Sequence, residues 1–308
     1  MKTRVCALVF YNTKKGIDVM KTQNGFTLFE NISEFKTWLN KQTVSRKITR
    51  LQVHHMDLPN YDTWEKTDKK VFSEPHLGRT KSLDDYGKKT WNYSDGHGHY
   101  IAQHINVFPD GKITTGRNLN STPIGIKGWN TNAICIEIYG DFDKGKDIMT
   151  NAQKKAVIAL YGELCKRFDI EPSTNTIRPH CWFTAGGAYL GKYDSSRSAK
   201  TCPGTNFMGF GCSPAGFAKF INLVKDYVNG DTATKEQTAF KQYIVRCTAE
   251  SLNGRTGPGS EYSVACVITK GTAVTIVGEY KAKDGGTWLK TKSGYYINKK
   301  FTDFVRYV

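Results

Sequence analysis

Two histidines stand side by side in "LQVHHMD", a third lies in "NTIRPHCW", and a cysteine precedes Pro-Gly in "SAKTCPG". Imidazole nitrogen and thiolate sulfur are preferred zinc ligands, and a zinc ion with three protein ligands keeps a fourth position for water. Strand alternation separates the adjacent pair, because Leu51 and Val53 share one face while Gln52 and His54 share the other. His54 is therefore expected to point out of the core and His55 into it. A lone strand histidine is more often structural than a ligand, so the candidate set is His54, His180 and Cys202 taken together. In "NAICIEIYG" the same alternation puts Ile134, Ile136 and Ile138 on one face and Cys135 and Glu137 on the other. A carboxylate held between isoleucines is either half of a structural salt bridge or a general base. Lys200, two residues before Cys202, is either a solvated loop lysine or a cation for a developing oxyanion.

Other residues compete for these roles. "DGHGHY" sets His97 and His99 on one strand face as a rival metal pair, at a spacing that often arises by accident. Cys181 beside His180 suggests a Cys–His nucleophile, although strand neighbours face apart and no helix N-terminus is indicated there. Trp129 in "KGWNTN" precedes the glutamate strand and either flanks a sugar or peptide substrate or packs. The cysteines Cys6, Cys135, Cys165, Cys181, Cys202, Cys212, Cys247 and Cys266 contain no CxxC pair, so mostly free, buried thiols are expected.

Asn31 with Glu34 three residues on predicts a capped helix in "NISEFKTWLNKQ", with Ile32, Phe35 and Leu39 on one face. "VCALVFY" and "KITRLQVHH" read as strands. Residues 57–98 are polar, with Trp64 and Trp91 embedded, and are expected to form a long irregular excursion. "HYIAQHINVFPDGKITTGR" predicts a hairpin turning at "PDG", and "NAICIEIYG" a further strand. Thr150 with Gln153 predicts a capping box opening one helix; Ser213, Pro214 and Gly230 bracket another. The alternation of strands and helices predicts an α/β mixed sheet flanked by helices over residues 1–230. Residues 231–240 read as a polar linker. Residues 241–308, short strands with Gly turns, predict a small all-β barrel or sandwich.

The chain has 308 residues and a formal charge of +16. Such a surface attracts polyanions, whether nucleic acid, anionic membrane or anionic bacterial wall. The dispersed Lys and Arg, without zinc-finger spacing, an RNP-type motif or a basic helix, argue against nucleic acid. No apolar run approaches the ~20 residues of a membrane span. The start lacks a small-x-small cleavage site, so no signal peptide is expected.

The set "VHH", "FPDGKITTGR", "NAICIEIYG", "RPHC" and "KTCPG" resembles the zinc-dependent N-acetylmuramoyl-L-alanine amidases, the superfamily of phage lysozyme-type amidases and peptidoglycan recognition proteins. The resemblance covers roughly residues 45–210. It implies Zn2+ on His54, His180 and Cys202, Glu137 as general base and Lys200 steadying the tetrahedral intermediate. Two departures stand out: an extra loop, "WFTAGGAYLGKYDSSRS", separates His180 from Cys202, and Gln103 and His104 stand where phage lysozyme-type enzymes use a tyrosine. His104 is expected to be structural or to support the site from outside it. The C-terminal segment resembles a bacterial SH3-type domain, which implies an SH3-like barrel that binds wall peptides. Tyr262, Trp288 and Tyr295 are its candidate wall-binding residues.

Together these features imply an endolysin of phage or prophage origin for a Gram-positive host. It would cut the bond between N-acetylmuramic acid and L-alanine, with peptidoglycan and anionic wall polymers as partners and no obligate protein partner. Made in the cytoplasm, it would reach the wall through a holin-type lesion. The alternatives are a Cys–His endopeptidase of the wall and a non-catalytic peptidoglycan binder.

Overall fold

Alternating apolar residues commit several short strands to one sheet whose two faces differ sharply in chemistry. The computed structural model describes residues 20–230, 242–282 and 285–308. The strand expected at "VCALVFY", Cys6 and the linker at 231–240 lie outside the described residues. The chain divides into two compact units, Met1–Thr232 and Ala233–Val308.

The first unit contains β1 (Lys21–Gln23), β2 (Phe26–Phe29), β3 (Arg50–His55), β4 (Ile105–Val107), β5 (Ile113–Thr115), β6 (Ala133–Ile138) and β7 (Ile177–Pro179). They pair in the order β1-β2-β5-β4-β6-β3-β7. The central strands β4, β6, β3 and β7 run parallel; β1, β2 and β5 are antiparallel additions. This is the mixed sheet flanked by helices that the alternation of elements predicts.

On one face Leu51, Val53, Ile105, Val107, Ile134, Ile136 and Ile138 build the main core against three helices. These are α1 (Ile32–Lys41), α5 (Asn151–Phe168) and α6 (Pro214–Asn229). The caps of α1 and α6 follow the sequence: Asn31 accepts from Glu34 N, and Ser213 accepts from Gly216 N ahead of Pro214. Gly230 closes α6 at φ +74°, a left-handed position that glycine adopts without strain. Only half of the capping box on α5 forms. Thr150 accepts from Gln153 N, but the Gln153 amide donates instead to Val107 O and Tyr139 O beside the sheet.

The excursion expected at residues 57–98 is largely helical, which corrects the sequence reading. Helix α2 (Tyr61–Thr63) leads through a π-helical turn (Trp64–Asp68) into α3 (Lys69–Val71), and α4 (Pro75–Thr90) follows. No apolar stripe announces α4, because the side it buries is His76, Leu77, Thr80, Asp84 and Gly87. Those groups are satisfied locally. Asp84 Oδ1 accepts from Tyr100 N and Ile101 N, and Asp68 holds Arg79 in a two-point ion pair beside the Tyr139 hydroxyl. Helix α4 packs on the second sheet face, through Leu77 against Phe26, Leu28 and Ile101.

The second unit is all β: β8 (Tyr243–Cys247), β9 (Ser251–Arg255), β10 (Val264–Thr269), β11 (Ala273–Lys281), β12 (Thr287–Thr291), β13 (Tyr296–Asn298) and β14 (Thr302–Tyr307). Their order is β10-β9-β13-β12-β11-β8-β14, around a core of Val245, Cys247, Leu252, Ile276, Leu289 and Ile297. Among the described residues the expected barrel does not close, since the end strands β10 and β14, both largely exposed, do not pair.

Candidate metal centre and active site

The second sheet face carries a row of polar side chains set by strand register. Thr114 on β5 stands opposite Asn106 on β4, Asn106 opposite Glu137 on β6, and Glu137 opposite His54 on β3. Four neighbouring strands thus line up one carboxylate and one imidazole on a floor that is otherwise amide and hydroxyl. Beyond β3, the chain leaves β7 in a short helical turn starting at His180, and Cys202 is brought in by its loop. Cys202 O accepts from Cys181 N at 2.7 Å, and Cys202 Sγ accepts from His55 N at 3.3 Å.

Donor atoms of His54, His180 and Cys202 lie within 4.8 Å of one another; among the described residues this is the one such group. Cys202 Sγ lies 3.5 Å from His54 Nδ1. Tetrahedral zinc with bonds of ~2.0 Å to nitrogen and ~2.3 Å to sulfur needs donors about 3.5 Å apart, so spacing and chemistry both fit.

The His54 tautomer follows from its neighbours. Gln52 Nε2 donates to Trp129 O and Asn130 Oδ1, which leaves Gln52 Oε1 as an acceptor facing His54 Nε2 at 3.2 Å. Nε2 therefore carries the proton and Nδ1 offers its lone pair towards Cys202. Gly125 permits this arrangement, because a Cβ there would fall 1.9 Å from Gln52 Oε1. Burial, then the nearby His180 and Lys200, hold His54 well below the usual histidine range, and burial lowers His180 to about 4. Two neutral imidazoles and one thiol that can ionise compose a zinc donor set. His54 is 2 % exposed, so the outward side chain expected from alternation ends in a sheltered cleft and not in open solvent. His55 faces the other way, as alternation requires: its Nδ1 accepts from Phe142 N and its ring packs on Phe142.

Glu137 Oε1 lies 3.8 Å from His54 Nδ1. With His54 neutral this contact is not an ion pair, and among the described residues no Lys or Arg bridges Glu137. Its Oε2 is buried and, among the described residues, has no hydrogen-bond partner. Burial pushes the carboxyl up to about 8, opposed by the charge of Lys200. Lys200 is exposed and lines the same cleft as His54, Glu137 and His180.

Several candidates fall elsewhere. Trp129, expected as a possible substrate platform, is 7 % exposed and packed between Phe183 and the guanidinium groups of Arg50 and Arg178, and it does not line the cleft. Its backbone carbonyl is the part that matters, since it orients Gln52. Cys181 is fully buried, its thiol held up chiefly by a hydrogen bond with Cys212, and among the described residues it bonds no histidine. Among the described residues His97 and His99 join no metal-capable group, and Asp95 Oδ1 takes both of their backbone N–H groups. His104 is buried, with Nδ1 accepting from Cys135 N and Nε2 beside Arg46 and Ser121 O. In the second unit Trp288 is 4 % exposed and lines a pocket with Asn253, Arg255 and Phe301; Tyr262 and Tyr295 are exposed. Sequence reading did not find Gln52, nor the exposed pair Tyr86 and Trp91, which meet edge to face at 5.5 Å and line the cleft. The signal available for that pair was aromatic residues on an otherwise polar helix and its end.

A profile of the N-acetylmuramoyl-L-alanine amidase family matches residues 44–205, just over half of the chain. The chain belongs to this family. The matched segment contains His54, Glu137, His180, Lys200 and Cys202. No curated protein matches the chain significantly. Among solved structures, the N-acetylmuramoyl-L-alanine amidase LysC from Clostridium intestinale URNW is 19% identical, over 60% of this chain and 91% of its own, with a TM-score of 0.37. The Ph2119 endolysin from Thermus scotoductus MAT2119 bacteriophage Ph2119 is 21% identical over 55% and 88%, with a TM-score of 0.32. Drosophila PGRP-LB is 15% identical over 58% and 82%, with a TM-score of 0.36. Family membership rests on the profile and not on these distant likenesses.

For an amidase with this site, His54→Ala should abolish stoichiometric zinc binding while His55→Ala keeps it and loses about 1–3 kcal/mol of stability, because Phe142 N loses its acceptor. Zinc analysis and urea denaturation would show this, and the opposite pairing would contradict the strand assignment. A second expectation concerns pH in chelator-treated protein. Glu137 ionises near 4.5 when unfolded and near 8 when folded. Folding stability is thus present in full below pH about 4.5 and is lost as pH rises to about 8. Glu137→Gln should equal the wild type at pH 4 and exceed it at pH 8 by roughly 2–4 kcal/mol. A difference independent of pH would contradict the burial of this carboxyl.

Proposed function

We propose that this protein is a zinc-dependent peptidoglycan hydrolase that cuts the amide joining N-acetylmuramic acid to L-alanine, acting as an endolysin on Gram-positive walls. The observation that carries this reading is the Glu137 carboxyl, bridged by no Lys or Arg among the described residues, with its Oε1 3.8 Å from His54 Nδ1 at the His54, His180 and Cys202 donor set. A zinc ion held by those three residues supplies Lewis acidity, lowering the pKa of water and of the neighbouring carboxyl.

The other parts belong to the chain. Glu137 accepts the proton of the attacking water through its carboxyl, whose Oε1 lies 3.8 Å from His54 Nδ1 at the donor set, and returns it to the leaving alanine nitrogen. Lys200 places a positive charge at the cleft rim, where the carbonyl oxygen becomes an oxyanion. The buried floor excludes bulk water, and the Gln52 amide keeps His54 from turning. Tyr86 and Trp91 offer apolar faces to the sugar or peptide at the mouth. The all-β unit serves as an SH3-type wall-binding module through exposed aromatics such as Tyr262 and Tyr295, and the charge of +16 favours an anionic wall. Among the described residues no helix is long and apolar enough to cross a membrane, and access to the wall follows a holin-type lesion.

Digestion of purified Gram-positive walls tests this. New L-alanine amino termini should appear, disappear with chelator, return with zinc, and fall at least ~1000-fold in Glu137→Ala, the scale of a lost general base combined with a lost electrostatic contact. Internal peptide termini blocked by a thiol reagent would replace the amidase with a cysteine peptidase. Tight wall binding without release would leave a binder.

A further inference from the structure

Gln103 lines the cleft with Glu137, His54 and Lys200, yet the mechanism above gives it no task. It lies just before β4 and is 5 % exposed. A chain of hydrogen bonds that begins inside α4 fixes its orientation. Thr80 Oγ1 donates its single proton to His76 O at 2.8 Å. Thr80 can then only accept from Thr114 Oγ1, also at 2.8 Å. With that proton committed, Thr114 Oγ1 accepts from Asn106 Nδ2 at 3.1 Å. Asn106 Oδ1 is thereby turned towards Gln103, which must donate Nε2 to it at 2.5 Å. Reversing either amide would set two donors or two acceptors against each other, at a cost set by their burial. What remains is Gln103 Oε1. Among the described residues it takes no hydrogen bond, and unlike Glu137 Oε2 it is not sealed from the cleft.

We propose that Gln103 is a substrate-binding residue whose carbonyl oxygen accepts a hydrogen bond from an amide N–H of the stem peptide, with Thr80, Thr114 and Asn106 as the positioning residues that hold it. This inference rests on the muramoyl-peptide reading of the site. A fixed carbonyl oxygen has no proton to give and repels an oxyanion, so its partner is the N–H side of the substrate and not the reacting carbonyl. A tyrosine hydroxyl at this place could donate; this amide oxygen cannot. The acceptor is preorganised, because the chain that orients it is complete without substrate. The site therefore selects peptides that present an N–H at this point and disfavours N-alkylated ones.

The test uses the full-length zinc-loaded protein and a synthetic N-acetylmuramoyl tripeptide, with analogues methylated at each amide nitrogen in turn. Calorimetric Kd is read together with KM and kcat. Gln103→Met should raise Kd and KM about tenfold while kcat changes less than threefold. Thr80→Val, in α4 and outside the cleft, should raise Kd about two- to threefold with zinc content unchanged, because the chain can then reverse. For one methylated analogue, wild type and Gln103→Met should bind equally. A Gln103→Met penalty that persists undiminished across every methylated analogue, or no penalty at all, would overturn the proposal. A merely structural role would lower kcat and zinc content together and leave the methylation series without a crossover. If wild type binds the tripeptide without cutting it, the amidase reading fails while the Kd series still decides the role of Gln103.

Discussion

The parallel register of β3 against β6 and of β6 against β4 is the constraint on which the site depends. It sets His54 beside Glu137 and Glu137 beside Asn106, one row across the sheet. Because strand side chains alternate, a slip of one residue would send Glu137 into the isoleucine face and bring an isoleucine beside His54. Core and site therefore specify each other. The apolar face under α1, α5 and α6 cannot be buried correctly without presenting the polar row on the other side.

That polar face is costly to bury, and its groups meet the cost by pairing with one another. The Gln52 amide is fixed by two acceptors and in turn fixes the His54 tautomer. Thr80, Thr114 and Asn106 fix Gln103 in the same manner on the other side of Glu137. Among the described residues Glu137 Oε2 is the one buried side-chain oxygen without a hydrogen-bond partner, and burial makes the carboxyl hold its proton to higher pH. Orientation stored in the folded protein is what a hydrolytic site needs, since nothing then has to reorganise during reaction.

How much of this was legible in the sequence depended on which groups each element buries. Strand parity separated His54 from His55 and Glu137 from its isoleucines, because one face of those strands is wholly apolar. The caps of α1 and α6 were legible for local reasons, a side chain and a backbone N–H a few residues apart. Helix α4 was not, because it buries Thr80 and Asp84 where a periodic pattern would show leucine. Trp129 and Trp288 are both largely buried, since a tryptophan near a site or in a binding module is as readily core as contact. His180 and Cys202 were grouped with His54 by ligand type and context, and the resemblance to a family then supported their meeting. Nothing local in the chain announces contacts that span more than a hundred residues.

The central claim is that strand register and the Cys202 loop together build one zinc site. X-ray absorption at the zinc edge of the reconstituted protein tests it most directly. One zinc per chain with two imidazole nitrogens at ~2.0 Å, one sulfur at ~2.3 Å and one further light atom is the predicted shell, with the sulfur lost in Cys202→Asp. A shell without sulfur in the wild type, or sulfur that survives that substitution, would contradict the account.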